Sequence, residues 1–82
     1  MPRKKRPKAA RLPEKLRLLR ERLQLSQGEM LTRLGMDAGY NRSVISGYEL
    51  GTKEPPLPIL LRYARQIGVS TDVLIDDDVD LP

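Results

Sequence analysis

Short amphipathic segments, each closed by a helix-ending residue, are the feature that most limits what this chain can fold into. Apolar residues recur at helical spacing in several stretches, and glycine follows three of them, at Gly35, Gly51 and Gly68. A glycine just past a helical stripe is typical of a helix C-terminus. No stretch shows the strict apolar–polar alternation that predicts a strand. The pattern therefore predicts an all-α bundle of short helices.

Five helices are expected, and cap residues place several of their ends. Pro13 suits a first helical position, because a proline lacks the N–H that has no helical partner there. Ser26 and Glu29 have the spacing of a capping box. Asn41 and Ser70 are good N-caps for two later helices. The expected helices span residues 13–24, 27–34, 41–50, 58–67 and 71–75.

The apolar stripes of these helices predict the core. At 82 residues the chain forms one small domain, and a domain of this size buries only about 60% of its unfolded surface. Economical helix packing is therefore needed. The residues expected to face inward are Leu16, Leu19, Leu23, Met30, Leu31, Leu34, Val44, Ile45, Tyr48, Leu57, Leu60, Leu61, Ala64, Ile67, Val73 and Leu74.

Composition excludes several function classes. The chain has neither Cys nor His, which removes disulfides, thiolate metal sites, the commonest general base and the commonest metal ligand. We expect no enzyme activity, no metal and no cofactor, and nothing indicates a small-molecule ligand. No apolar run approaches the roughly 20 residues of a membrane span, and the charged N-terminus lacks the apolar stretch of a secretory signal. A cytoplasmic location is expected.

The stretch from Asn41 to Gly51 has the character of a helix that can lie in the major groove of DNA. Val44, Ile45 and Tyr48 form one apolar edge that must pack on protein. The remaining face is small or polar, and such a face can approach another surface closely. Its members are Arg42, Ser43, Ser46 and Gly47.

The charge of the chain is concentrated at its ends. Net charge is +4, with six basic and no acidic residues in 1–11 and four Asp but no base in 76–82. Like charges and prolines predict that the basic arm is disordered in isolation. A solubilising tail is one interpretation of this arm. Because it precedes a candidate DNA-binding helix, an arm that tracks phosphates or the minor groove is favoured. Its candidate contacts are Arg3, Lys4, Lys5 and Arg6.

Residues 12–75 resemble the Cro and lambda-repressor type of helix-turn-helix domain, the xenobiotic-response-element family of bacterial regulators. The resemblance implies a compact five-helix bundle whose second and third helices form the helix-turn-helix, with the third reading base edges. The matching residues are Leu16-Arg-x-Leu-Arg, Leu25-Ser-Gln-x-Glu-Met-x-x-Arg-Leu-Gly35, Ile45-Ser-x-Tyr-Glu-x-Gly51, Glu54-Pro-Pro and Leu60-Leu-x-x-Ala-x-x-Ile-Gly-Val-Ser70.

The resemblance implies roles for individual residues. Gln27 is similar to the family glutamine that anchors to a phosphate at the start of the second helix. Arg42 and Ser43 match exposed positions that touch bases, and Ser46 matches one that contacts a base or a phosphate. An arginine can donate two hydrogen bonds to guanine O6 and N7. Lys53 matches a loop position close to the backbone phosphates.

Two further matches are structural. Tyr48 resembles a tyrosine that packs under the third helix. Glu49 resembles a glutamate that pairs with a basic residue or caps a neighbouring turn.

The chain departs from the family pattern in two places. Between Gly35 and Ile45 it is four residues longer, so either the loop extends to Tyr40 or the third helix gains a turn at its start. The loop is favoured, because the longer helix would enclose Asn41, and in that case Tyr40 and Asn41 approach the DNA backbone themselves. The second departure is Gly47, where the family often has a long polar or basic side chain, so one contact is expected to be missing.

These observations predict a sequence-specific double-stranded DNA-binding transcriptional regulator, a repressor, that reads the major groove with the third helix. The domain is expected to span 12–75, between the basic arm (1–11) and an acidic tail (76–82). A homodimer through the C-terminal region would place two half-sites about 34 Å apart. The tail could extend that dimer surface or lie against the basic arm and weaken non-specific binding. The alternative function is a protein-interaction module with the same fold and no specific DNA target.

Overall fold

Five helices account for most of residues 8–82, which are the residues that this computed structural model describes. In chain order they are α1 (Leu12–Arg22), α2 (Gln27–Arg33), α3 (Arg42–Leu50), α4 (Leu57–Gln66) and α5 (Thr71–Ile75). No strand occurs between residues 8 and 82, and the predicted all-α class is confirmed. α1 packs on α3 and α5, α2 packs on α3, and α4 packs on α5. α3 therefore lies against both α1 and α2, with its remaining side turned outward.

The predicted N-caps begin three of the helices. Ser26 Oγ accepts the Glu29 N–H at 3.1 Å, and Glu29 Oε1 accepts the Ser26 N–H at 2.8 Å, which confirms the capping box at α2. Hydrogen bonds to the Ser26 backbone and side chain lower the pKa of the Glu29 carboxyl. The side chains of Asn41 and Ser70 each accept a backbone N–H from the first turn of α3 and α5.

The extra residues before Ile45 lengthen the loop and not the helix. α3 begins at Arg42, directly after the Asn41 cap, so the favoured alternative is confirmed. Gly35 follows α2 with a left-handed φ of 71°, as a helix-ending glycine should. Met36 is buried, and its N–H donates to the Leu31 carbonyl at 3.0 Å. The loop is thus anchored at its start and exposed from residue 37 to residue 40.

α1 ends two residues before the predicted boundary at Gln24. The Gln24 N–H donates to the Glu21 carbonyl at 2.9 Å and the Leu25 N–H donates to the Arg20 carbonyl at 3.2 Å. These are the paired bonds of a Schellman motif, which needs a left-handed residue after the cap. Gln24 supplies it with a φ of 57°. The boundary prediction was wrong because a glutamine gives no sequence signal for that conformation.

The core follows the predicted stripes with corrections in α4. Leu57 is 78% exposed and Leu61 is 40% exposed, so their predicted burial was wrong. The buried stripe of α4 instead contains Tyr63, which is fully buried and lies three residues after Leu60. The buried hydrophobic residues are Leu16, Leu19, Met30, Leu31, Leu34, Met36, Ile45, Tyr48, Leu60, Tyr63, Ala64 and Leu74.

A buried lysine joins the first helix to the last. Lys15 is only 1% exposed, and its Nζ donates to the Val73 carbonyl at 2.9 Å and to the Asp76 carbonyl at 2.7 Å. These carbonyls lie at the C-terminal end of α5, which the helix dipole makes negative. Lys15 therefore caps α5 from across the bundle.

The acidic tail continues from this point onto the start of α1. The Asp77 carboxylate accepts the backbone N–H groups of Ala10 and Arg11, each at 3.0 Å. The Arg11 guanidinium donates to the Asp77 carbonyl at 2.9 Å and pairs with the Asp80 carboxylate. Leu81 is half-buried and packs against the core. We call these contacts of Asp77 and Asp80 with Ala10 and Arg11 the tail clamp.

Lys15→Met tests the capping lysine, because methionine keeps much of the buried stem but removes every donor. A buried acceptor left without a partner costs about 1–3 kcal/mol. The free energy of unfolding should therefore fall by about 2 kcal/mol, which lowers Tm by roughly 10 °C in a domain of this size. Urea denaturation followed by far-ultraviolet circular dichroism measures the change.

Arg17→Met is the matched control, because Arg17 is exposed and, among the described residues, pairs with Glu21 one turn along α1. It should cost less than about 0.5 kcal/mol. Equal stability of the two variants would contradict the capping role of Lys15.

The tail clamp predicts two separable titrations. Hydrogen bonds from the backbone of Arg11 and Ala10 lower the pKa of Asp77, whereas the Arg11 side chain lowers the pKa of Asp80. Arg11→Ala should therefore return the Asp80 pKa to its ordinary range and leave the Asp77 pKa low. Carboxyl-carbon NMR titration measures both values.

The lowered pKa values of Asp77 and Asp80 also determine how the stability of the fold depends on pH. Because the folded pKa lies below the unfolded one, these carboxylates stabilise the fold above a pH of about 4. That contribution is lost as pH falls through the folded pKa. An Asp77 that titrates at its ordinary value in the unmodified protein would disprove the clamp.

Candidate nucleic-acid interface

α3 turns a polar face away from the core. Ile45 and Tyr48 are buried beneath the helix, while Arg42 and Ser43 are exposed and Ser46 is half-buried. With 3.6 residues per turn, positions 42, 43 and 46 fall on one side of the helix. The structure thus brings together the three predicted base-contacting side chains. That they contact bases stays a prediction.

The first turn of this face is held by its own cap. Asn41 Oδ1 accepts the Ser43 N–H at 2.9 Å and also the Ser43 hydroxyl. Both side chains are exposed. Asn41, predicted to contact the DNA backbone, therefore lies at the exposed N-terminal tip of α3, and its side-chain oxygen is engaged with the helix.

An ion pair between Arg20 and Glu49 fixes α3 to α1. Arg20 Nε lies 2.6 Å from Glu49 Oε2, and Arg20 Nη2 lies 3.0 Å from Glu49 Oε1. The hydrogen bond with Glu49 raises the pKa of the Arg20 guanidinium. The glutamate side chain is only 4% exposed, and the arginine side chain is 16% exposed. Bidentate geometry at low exposure makes this pair directional as well as strong.

Gln27 joins the same pair from the start of α2. Its Nε2 donates to Glu49 Oε1 at 3.4 Å, and the residue is half-buried. Arg20 Nη1 also donates to the Leu25 carbonyl in the α1–α2 connection, at 2.8 Å. The predicted phosphate anchor is therefore positioned by the same carboxylate that holds α3.

The other predicted backbone contacts lie on either side of α3. Tyr40 is 58% exposed at the end of the lengthened loop, and Lys53 is exposed in the connection to α4. Lys8 and Lys53 line one groove together with apolar residues of α1, α4 and α5. The arm residues Arg3, Lys4, Lys5 and Arg6 lie outside the described residues.

Leu50 is an exposed member of the α3 face that the sequence analysis did not single out. It lies four residues after Ser46 and seven after Ser43, so it shares their side of the helix. The side chain is 74% exposed. Its helical position was readable from the sequence, but an apolar residue beside Gly51 gave no sign that it would be left uncovered.

Two further kinds of site are absent from the described residues. Between residues 8 and 82, no group of three or more His, Cys, Asp or Glu side chains is placed to hold a metal ion. No helix in this part of the chain is long and apolar enough to cross a membrane. The arrangement is that of a polar face, interrupted by the exposed Leu50, with basic residues near it.

Comparison with known proteins places most of the chain in a family. The helix-turn-helix family model matches residues 16–74. The chain is similar in structure to the P22 c2 repressor protein, crystallised in complex with synthetic operator 9T in the presence of Tl+. That match has a TM-score of 0.69 and 25% sequence identity, and it covers 82% of this chain and 96% of that one.

A second solved structure has the same fold. It is a hypothetical transcription factor, NHTF, from Neisseria, with a TM-score of 0.68 and 24% identity over 92% of this chain and 85% of that one. No curated protein matches the sequence.

Glu49→Ala tests whether the ion pair holds α3 in place. Removing one partner leaves the largely buried Arg20 charge uncompensated, which costs about 3 kcal/mol. The free energy of unfolding should fall by about that amount. The control Glu21→Ala removes the exposed partner of Arg17 and should cost less than about 0.5 kcal/mol. Similar urea midpoints for the two variants would rule out a structural role for the Arg20–Glu49 pair.

Proposed function

This chain belongs to the helix-turn-helix family of DNA-binding transcription regulators, and from that premise we propose that it is a repressor that reads the major groove with α3. The observation that carries the proposal is the exposed face of Arg42, Ser43 and Ser46 on a helix held by two others. The similar P22 c2 repressor, solved with an operator, supports the same role. A repressor of this kind would act in the cytoplasm, on the chromosome.

Base reading centres on Arg42. It is the only long side chain among the three predicted base-contacting residues and lies in the first turn of α3, next to the Asn41 cap. Its guanidinium donates two parallel hydrogen bonds to guanine O6 and N7. Ser43 and Ser46 are short, so they allow the helix to approach the base edges closely.

Backbone contacts surround this centre. Gln27, Tyr40 and Asn41 reach phosphates beside α3 and set the register of the helix in the groove. The arm residues Arg3, Lys4, Lys5 and Arg6 add salt-dependent affinity. Gln27 suits this role because its bond to Glu49 couples its position to that of α3.

The protein binds a two-fold DNA site as a homodimer, and the two subunits meet through their C-terminal regions. Ile75 is 44% exposed and Val79 is 38% exposed, whereas Leu74 is part of the monomer core. The dimer surface therefore centres on Ile75 and Val79, with the half-buried Leu81 beside them. Two copies of α3 then lie about 34 Å apart, one turn of the DNA helix.

The first test is a binding selection from a random duplex pool, with Arg42→Ala run beside the unmodified chain. The unmodified protein should enrich a two-fold motif, and its affinity should fall steeply with salt. Arg42→Ala should lose about 1–3 kcal/mol of binding free energy on the enriched sequence and relax preference at one base pair in each half-site. Fluorescence anisotropy at several salt concentrations measures both effects.

Arg65→Ala is the charge-matched control, because Arg65 is exposed in the last turn of α4, outside the α3 face. It should leave the enriched motif unchanged. If no motif is enriched and binding does not respond to Arg42→Ala or to salt, the chain is instead a protein-interaction module with this fold.

A further inference from the structure

Gly47 is covered by a side chain from outside α3. By helical spacing it lies one turn after Ser43, at the edge of the exposed face. It is nevertheless buried, whereas Ser43 is exposed. The cover is the stem of Lys53: a Cβ built on Gly47 would meet Lys53 Cδ at 2.8 Å, Cγ at 3.0 Å and Cβ at 3.3 Å. The lysine therefore lies across the helix where a side chain at position 47 would begin.

The backbone holds Lys53 in this place. The Gly47 carbonyl accepts the N–H groups of Gly51, of Thr52 at 3.0 Å and of Lys53 at 3.2 Å. The Thr52 hydroxyl also donates to it, at 3.3 Å. Four donors thus converge on one oxygen, and the chain curls tightly around the end of α3. This curl brings Lys53 back over the helix instead of leaving it on the loop.

We propose that Lys53 is a base-reading residue of the α3 face, and that Gly47 is the positioning residue that makes room for it. The inference rests on the proposed function and names a further specificity determinant within it. The ammonium group is two bonds beyond Cδ, so the charge lies within two bonds of the stem that covers Gly47. In the major groove a lysine at that place donates to guanine O6 and N7.

The role differs from that of a phosphate-contacting loop lysine. A phosphate contact would not require the stem to cross α3, and it would carry no sequence information. The packing of the Lys53 stem over Gly47 also explains why the smallest residue stands at position 47. Carbon atoms in favourable contact lie about 3.5–4.0 Å apart, so even the methyl group of alanine would force the Lys53 stem to shift from its place over Gly47.

The test compares Lys53→Met, Gly47→Ala and the double variant with the unmodified full chain. Methionine keeps most of the stem and removes the charge. Each single variant should lose affinity for the enriched sequence by about tenfold and relax preference at the same base pair of each half-site. The double variant should bind no more weakly than the weaker single variant, because both changes remove one contact.

Two control variants isolate the effect. Gly28→Ala places the same methyl group on α2 in open space, where the nearest atom is Ser26 Oγ at 4.0 Å. Arg65→Met removes one exposed positive charge from α4. Neither should change base preference. Alanine also favours a helix over glycine, so Gly47→Ala should stay folded by circular dichroism.

Several outcomes would overturn the inference. Equal loss on all sequences for Lys53→Met, with a salt slope lowered by about one, would make Lys53 a phosphate contact. If Gly47→Ala enriches an unchanged motif, the packing of Lys53 over Gly47 is not needed for base preference. In the free protein, NOEs between the Gly47 α-protons and the Lys53 methylenes are expected, and their absence would disprove the packing without reference to DNA.

A different result would contradict the proposed function itself: the unmodified chain enriches no motif. The base-reading role of Lys53 then falls with it. If the unmodified chain enriches a motif that Lys53→Met retains, only the inference about Lys53 fails.

Discussion

The position of α3 depends on one buried carboxylate. Glu49 accepts hydrogen bonds from Arg20 of α1 and from Gln27 of α2, and the same Arg20 also binds the Leu25 carbonyl. Apolar contacts stabilise the bundle, but they are non-directional and would tolerate rotation of one helix over another. Charge-assisted bonds to a fixed fork of donors are directional. Glu49 therefore sets the angle between α3 and the two helices that support it.

A second set of polar contacts brings the C-terminal segment onto the start of α1. Lys15 caps α5, and the tail clamp holds Ala10 and Arg11 beside Asp77 and Asp80. The tail is thus packed against the root of the basic arm, as one of the two hypotheses for it required. Its influence on DNA binding stays a prediction. Next to the clamp, Lys8 lines a groove together with Lys53.

Local signals predicted the helices, whereas most contacts between distant residues were not predictable from residue spacing. The pairing of Glu49 with a basic residue was expected only from the family resemblance. Ser26, Asn41 and Ser70 act on N–H groups two or three residues away, so their capping roles follow from short-range spacing. The burial of Lys15 depends on carbonyls that α5 places beside it, and sequence spacing contains no such distance. Tyr63, rather than Leu57 or Leu61, completes the α4 stripe for the same reason: packing of α4 in the bundle decides which face is covered.

The candidate site shows the same limit. The helical repeat correctly placed Arg42, Ser43 and Ser46 on one face, but a glycine at position 47 suggested only a missing contact. The structure fills that position with Lys53, which reaches it because the loop curls around the Gly47 carbonyl. A side chain supplied by a loop six residues later leaves no periodic trace in the sequence.

The composition of the α3 face favours the proposed dimer. One bidentate contact discriminates by about 1–3 kcal/mol, whereas specific regulators exceed their non-specific binding by about 4–10 kcal/mol. A face with one arginine and two serines cannot supply that difference alone. Two-fold symmetry in the proposed dimer would double every base contact, and close approach through Ser43 and Ser46 would add readout of groove shape. A second charged group at Lys53 would contribute to the same difference, in each half-site, without lengthening α3.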